Sequence, residues 1–315
     1  MAQLSYIVPD ERAFQRLDRF LSQAPDLSSR SQIASWVREG RVLVNGIPAK
    51  PALKLRAGDV VEVDPPKPPP LELVPEEVSF KIVHEDEHLV VIDKPRGLSV
   101  HPGPGHPSGT LLNGLSFRGV RLSSIGLPLR PGVVHRIDLG TSGLLVLAKE
   151  DRIHRSLMRQ FAKHTVDRQY LALVWGDVAQ ESGTIRSALG RSPLNRKKFA
   201  SVETGGKPAV THWKRLGGNG RITLLSLTLE TGRTHQIRVH LSEMGHPVVG
   251  DPLYGRARLH GLSEELAGAV ERLSGQLLHA ATLGITHPVT NKRLCFESVP
   301  PADFEEVRRL AQIGA

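Results

Sequence analysis

The segment Pro65-Pro66-Lys67-Pro68-Pro69-Pro70 constrains this chain more than any other. Proline has no amide hydrogen to donate and a fixed φ, so such a run can continue neither a helix nor a central strand and forms a stiff extended spacer. It divides the 315 residues into a small segment, 1–70, and a large one, 71–315, as expected when one domain takes roughly 150 residues. Before the spacer, Phe14, Leu17, Phe20 and Leu21 recur at helical spacing and predict a helix over 11–24. A second helix follows, with Ser29 as N-cap, Ile33, Trp36 and Val37 as its apolar face and Gly40 just past its end. The alternation of residues 41–47 runs into an Asn45-Gly46 turn, and Gly58-Asp59 precedes a strand over 60–63.

Beyond the spacer, short strands are expected over 78–83, 89–93, 144–148, 168–175, 221–229 and 278–286, and helices over 152–163, 234–244 and 302–311. Strands that are not regularly separated by helices point to an α+β fold, a large and mainly antiparallel sheet flanked by helices. Hydrophobic residues at 39% and charged residues at 23% supply a core and argue against global disorder. The single cysteine, Cys295, in an apolar strand and expected to be buried, excludes an internal disulfide framework and suits a reducing cytosol. No apolar run approaches the roughly 18–20 residues of a membrane span, and the start, Met1 to Tyr6, lacks the basic and apolar regions of a secretory signal, so the cytoplasm is the expected location.

The net charge of +9 is unevenly placed. Arg30, Arg38, Arg41, Lys50, Lys54 and Arg56 share their stretch with one acid, Glu39; Arg186, Arg191, Arg196, Lys197, Lys198, Lys207, Lys214, Arg215 and Arg221 share theirs with Glu203. Either stretch alone reads equally well as a solvated face, but two segregated ones favour a nucleic acid partner.

Two apparent motifs fail. The glycines from Gly103 to Gly109 lack the Gly-Lys-Ser/Thr ending of a phosphate loop, and His235 and His240, five apart, do not share a helix face, so no metal is expected. Three residues remain. Asp138 sits in a polar turn expected between two apolar strands in His135-Arg136-Ile137-Asp138-Leu139-Gly140-Thr141-Ser142-Gly143, where it is either a carboxylate presented from a rigid support or a plain turn residue. Arg233 stands before a helix that Thr234 could cap; a cation there opposes the helix dipole and calls for an anionic partner, or else is simply solvated. Tyr170, on a strand, is a site residue or part of the core.

His-Arg-Ile-Asp-x-x-Thr-Ser-Gly at 135–143, a basic-x-Tyr strand at 168–170 and Gly-Arg-Thr-His-Gln-Ile-Arg-Val-His at 232–240 resemble the RluA family of pseudouridine synthases. The stretches 93–102, 245–251, 278–280 and 287–290 extend the resemblance, with Ile137 a conservative replacement for the commoner Leu, while residues 1–70 resemble the ribosomal-protein-type S-four RNA-binding module. His101-Pro102-Gly103-x-Gly105 and residues 109–113 are most similar to the branch acting on the large ribosomal subunit.

The resemblance implies isomerisation of uridine in RNA, with Asp138 as nucleophile, Arg233 as the partner of its carboxylate, Tyr170 stacked on the target base, and no cofactor. Arg136 would fill the vacancy left by a flipped base or contact the displaced strand; Arg30, Arg38 and Arg41 would hold an RNA stem, and Arg196, Lys197 and Lys198 would flank the cleft. The expected partner is large-subunit ribosomal RNA or a pre-ribosomal particle, bound by a monomer. Transfer RNA is the alternative substrate. A non-catalytic RNA-binding assembly factor would have lost one of Asp138, Tyr170 and Arg233, and a uracil methyltransferase would need a cysteine setting that Cys295 lacks.

Overall fold

The computed structural model describes residues 4–24, 27, 30–65, 73–103, 105–193, 195 and 197–314, the side chains at 31 and 32 excepted. The expected roles of Ser29 and Arg196, and most of the proline run, lie outside these residues. The chain divides into two compact units, Met1–Pro70 and Leu71–Ala315.

In the small unit, Leu4–Ile7 (β1) is followed by a 3-10 turn, two helices, Leu17–Leu21 (α1) and Arg30–Arg38 (α2), and three strands, Val42–Val44 (β2), Ile47–Pro48 (β3) and Val60–Val63 (β4). The strands pair antiparallel in the order β1-β4-β2-β3. Asn45 and Gly46, both at positive φ, make the tight turn between β2 and β3. Gly40, at φ +74°, ends α2: its N–H donates to the Val37 carbonyl, and that of Arg41 to Trp36, which satisfies the last carbonyls of the helix. The first helix is shorter than expected. Phe14 takes a left-handed φ of 63° and is 76% exposed, because its N–H and those of Leu17 and Asp18 donate to the carbonyls of Leu55, Leu53 and Pro51, so the chain before α1 pairs with a loop instead of coiling.

The large unit contains Lys81–Glu85 (β5), Leu89–Lys94 (β6), Leu111–Phe117 (α3), Ser142–Ala148 (β7), Asp151–Ala162 (α4), Asp167–Trp175 (β8), Ser182–Arg191 (β9), Phe199–Ser201 (β10), Lys207–Gly218 (β11), Ile222–Leu229 (β12), Gln236–Glu243 (α5), Glu264–Glu271 (α6), Leu278–Thr286 (β13), Arg293–Glu297 (β14) and Ala302–Leu310 (α7). Its ten strands form one sheet, β10-β9-β11-β12-β8-β13-β7-β6-β5, with β14 on β13; every pairing is antiparallel except that of β13 with β7. The α+β expectation is met. Strands β9 and β11 overlap or lie within the basic stretch, where half-buried polar residues mask the alternation that would predict them.

Side chains of β8 alternate between two cores. Tyr170, Ala172 and Val174 pack with Ile237 and Leu241 of α5, while Leu173 and Trp175 pack with Leu266, Phe304 and Val307 of α6 and α7. The face carrying α5 is the one that holds the site. Trp175, 1% exposed, anchors the other face, and its truncation to alanine costs about 3–5 kcal/mol. Cys295 is exposed, a correction to its expected burial: Leu294 and Phe296 turn inward to the core beneath β13 and β14, and the residue between them faces out.

Candidate active site

The apolar residues before Asp138 form no strand; only Val133 bridges to Leu147, and 134–141 is a loop that enters β7 at Ser142. That loop is fixed from two sides. The Lys94 ammonium, wholly buried at the end of β6, donates to the carbonyls of Pro95 and Leu98 (both 2.9 Å) and Leu139 (3.3 Å), and the Gly97 N–H donates to Leu139 as well. Burial holds the Lys94 pKa down to about 7, against the opposing pull of the Asp138 charge. From the other side, Gln276 Nε2 donates to Thr141 Oγ1 (3.1 Å), and its amide lies where a Cβ on Gly140 would stand 2.3 Å away. Gly143 passes so close to β13 that a Cβ would meet the Ala280 carbonyl at 2.3 Å.

Held there, Asp138 accepts a hydrogen bond from Arg238 Nη1 at 2.9 Å. Arg238 donates through Nε and Nη2 to both oxygens of Asp251 (2.7 and 2.9 Å), and Asp251 also accepts the N–H groups of Leu253 and Tyr254. The Arg238 side chain is 7% exposed and that of Asp251 0%, while Asp138 keeps 19%. Burial works against both inner charges, yet their pairing prevails: the two carboxylates raise the Arg238 pKa, and Arg238 holds the Asp251 carboxyl low.

The partner of Asp138 is therefore Arg238, not Arg233, a correction with a plain geometric cause. The helix α5 begins at Gln236 after His235 in a left-handed conformation, not at a Thr234 cap, and places Arg238 in its first turn beneath the Asp138 loop. Arg233 donates through Nε to the Pro208 carbonyl (3.0 Å) and is exposed, although it lines the same cavity. Arg238 carried its own signal in the sequence: an arginine between Ile237 and Val239 in a helix buried all round needs a charged partner.

Asp138, Tyr170, Arg136, Arg233 and Arg238 line one cavity of about 570 Å³ together with Phe161, Arg168, His135 and Leu278. Tyr170 is buried, and burial pushes its phenol pKa up, which keeps the ring neutral and fits it for stacking. His135 stacks on Phe161 at 4.5 Å and accepts the Val146 N–H through Nε2; burial, with the nearby Arg168 charge, holds it down to about 3 and so unprotonated. Arg136 is exposed, its Nη1 3.5 Å from His101 Nε2.

The basic residues fall elsewhere. Lys197 is exposed and Lys198 lies over the Tyr254 ring at 5.6 Å; neither lines the cavity. Tyr254 links that hairpin to the site, since its hydroxyl accepts the Phe199 N–H and sits 2.9 Å from His235 Nδ1. In the small unit Arg30 pairs with Asp18 (3.0 Å) and Arg41 with Glu39 (3.3 Å) and Asp64 (3.5 Å), while Arg38 is exposed. Among the described residues no helix is long and apolar enough to cross a membrane.

Comparison with known proteins points the same way. Residues 88–243 match the RNA pseudouridylate synthase family and residues 15–61 the S4 domain. An uncharacterised RNA pseudouridine synthase of Bacillus subtilis is 41% identical over 307 residues, 98% of this chain and 97% of that protein. The ribosomal large subunit pseudouridine synthase D of Zymomonas mobilis is 41% identical over 305 residues, 95% of this chain and 94% of its own. Among solved structures, human RNA pseudouridylate synthase domain containing 4 is 25% identical with a TM-score of 0.57, covering 74% of this chain and 94% of its own.

Proposed function

This chain belongs to the RNA pseudouridine synthases, and on that premise we propose that it isomerises uridines of large-subunit ribosomal RNA in the cytoplasm, with the Asp138 carboxylate as nucleophile. The observation that carries the reading is Asp138 itself, hydrogen-bonded to a guanidinium that a second carboxylate holds in place, and opening into a cavity with a neutral tyrosine. The target base leaves its stack at a cost of a few kcal/mol and lies against Tyr170, while Arg136 takes the vacated position. Asp138 attacks the ribose anomeric carbon or the uracil ring, the glycosidic bond breaks, and the base turns. Carbon 5 of the uracil then bonds to the anomeric carbon and gives up its proton; the ring nitrogen that lost the sugar gains one, and Asp138 is released. Atoms and electrons balance without a co-reactant. The substrate class follows the relatives named for the large ribosomal subunit and the presence of an RNA-binding module.

The test is pseudouridine mapping of total RNA, by carbodiimide adducts and primer-extension stops, in cells lacking the gene and in cells rescued with wild type or Asp138→Asn. Stops in large-subunit RNA that vanish with the gene and return only with wild type are expected. Lost stops confined to transfer RNA would move the substrate, and equal rescue by both versions would remove Asp138 from the chemistry.

A further inference from the structure

The cavity holds two buried arginines, and they differ in what neutralises them. Arg238 lies between two carboxylates. Arg168, 8% exposed, has no carboxylate within ion-pair distance among the described residues. Its Nη2 donates to the carbonyls of Leu229 (3.3 Å) and Glu230 (3.2 Å), its Nε is buried without a partner, and no hydrogen bond among the described residues engages Nη1. The Glu230 carboxylate is turned to His212 Nε2 at 2.6 Å. Gly232 leaves the guanidinium its room, since a Cβ there would stand 2.8 Å from Nη1. Two carbonyls and the Phe161 ring, 5.4 Å from Cζ, offset the buried charge in part, and a bound anion would supply the missing counter-charge.

The strand says which anion. Arg168 and Tyr170 are two residues apart on β8 and both buried, so they project from one face of the sheet about 7 Å apart, comparable to the reach from a base to its own phosphate. Guanidinium donors match phosphate oxygens in number and geometry. We propose that Arg168 binds the RNA backbone phosphate adjoining the uridine that Tyr170 receives, so that one strand holds both ends of the target nucleotide. This rests on the reading of the cavity as the uridine site.

The experiment is a binding cycle with a synthetic hairpin carrying the uridine that the mapping identifies, made with natural linkages or with one neutral methylphosphonate on either side of that uridine. Wild type is expected to lose about tenfold or more in affinity for one of the two modified hairpins. Arg168→Met should bind the natural hairpin weaker by a similar factor and be indifferent to that modification. Arg168→Lys, which keeps the charge, should remain sensitive, and Arg168→Gln, polar but neutral, should be indifferent and carries the test if the methionine variant fails to fold. Equal losses for wild type and a neutral variant, or unchanged affinity of Arg168→Met, would overturn the assignment. Activity of Asp138→Asn on the same hairpin separates the two failures: an active Asp138→Asn refutes the site itself, whereas an inactive one with additive losses refutes only the phosphate contact.

Discussion

The two units contain mirror-image charge triads. In the small unit one buried carboxylate, Asp18, lies between Arg16 and Arg30; its side chain is 6% exposed and theirs 46% and 54%. In the large unit one buried guanidinium, Arg238, lies between Asp138 and Asp251. Each triad has a surplus unit charge, positive in the first and negative in the second. The surplus is delivered to opposite places. In the small unit it sits on two solvated arginines, where it is screened by salt and suits phosphates at no fixed geometry. In the large unit Asp251 is shut away, so the surplus appears on Asp138 at the cavity wall, oriented and only partly hydrated. Solvated charge serves affinity; desolvated and paired charge serves chemistry.

The most severe way to break this contrast is Arg238→Met, which leaves Asp251 buried without a cation. We expect about 3–5 kcal/mol of lost stability and a fall in turnover of at least about a hundredfold. Denaturant unfolding and single-turnover assays measure the two separately, and full activity in Arg238→Met would mean that Asp138 needs no fixed partner. Smaller is the effect of replacing Arg30, Arg38 and Arg41 together by glutamine. RNA affinity should drop and the slope of log affinity against log salt flatten by about two to three, at roughly 0.7–0.9 per phosphate contact, while turnover at saturating RNA stays unchanged. Normal binding with slow turnover in that variant would contradict the division of labour.

The smallest effect is a pH dependence. The hydrogen bond from Arg16, and after it that from Arg30, hold Asp18 below the usual carboxylate range although burial opposes them. A depressed folded pKa contributes stability that is present above the unfolded value of about 3.9 and is lost as pH falls through the lower folded value. Unfolding free energies measured below about pH 4 should fall less steeply for Asp18→Asn than for wild type. Identical slopes would show that the small triad contributes nothing to folding.

The same contrast explains what was legible in the sequence. Local signals told the truth where local physics decides: the Asn45-Gly46 turn, the Gly40 helix end and the fully apolar strands around β6 and β7 lie where the sequence reading puts them. The first helix is shorter than its periodicity predicts because Phe14 answers to the Leu55 carbonyl, 41 positions away, and periodicity does not see such a bond. Asp138 and Tyr170 stood out by their motifs and meet in one cavity. The sequence points to Arg233 and not Arg238 because the partner of Asp138 depends on where α5 starts, and His235, in a left-handed conformation, delays that start past Thr234. Arg168 and Asp251 carry roles set by what they lack or enclose in three dimensions, which residue spacing does not encode.

The central claim is that Asp138, oriented by Arg238, attacks the substrate. It is tested most directly by tritium release from RNA labelled at carbon 5 of uridine, since that hydrogen leaves only when the carbon–carbon bond forms, with binding of the same RNA measured in parallel. Asp138→Asn should bind RNA as wild type does and release no tritium, Arg238→Met should release it at least about a hundredfold more slowly, and Arg233→Ala should stay within about tenfold of wild type. Appreciable release by Asp138→Asn, or a loss in Arg233→Ala that matches the loss in Arg238→Met, would contradict the account.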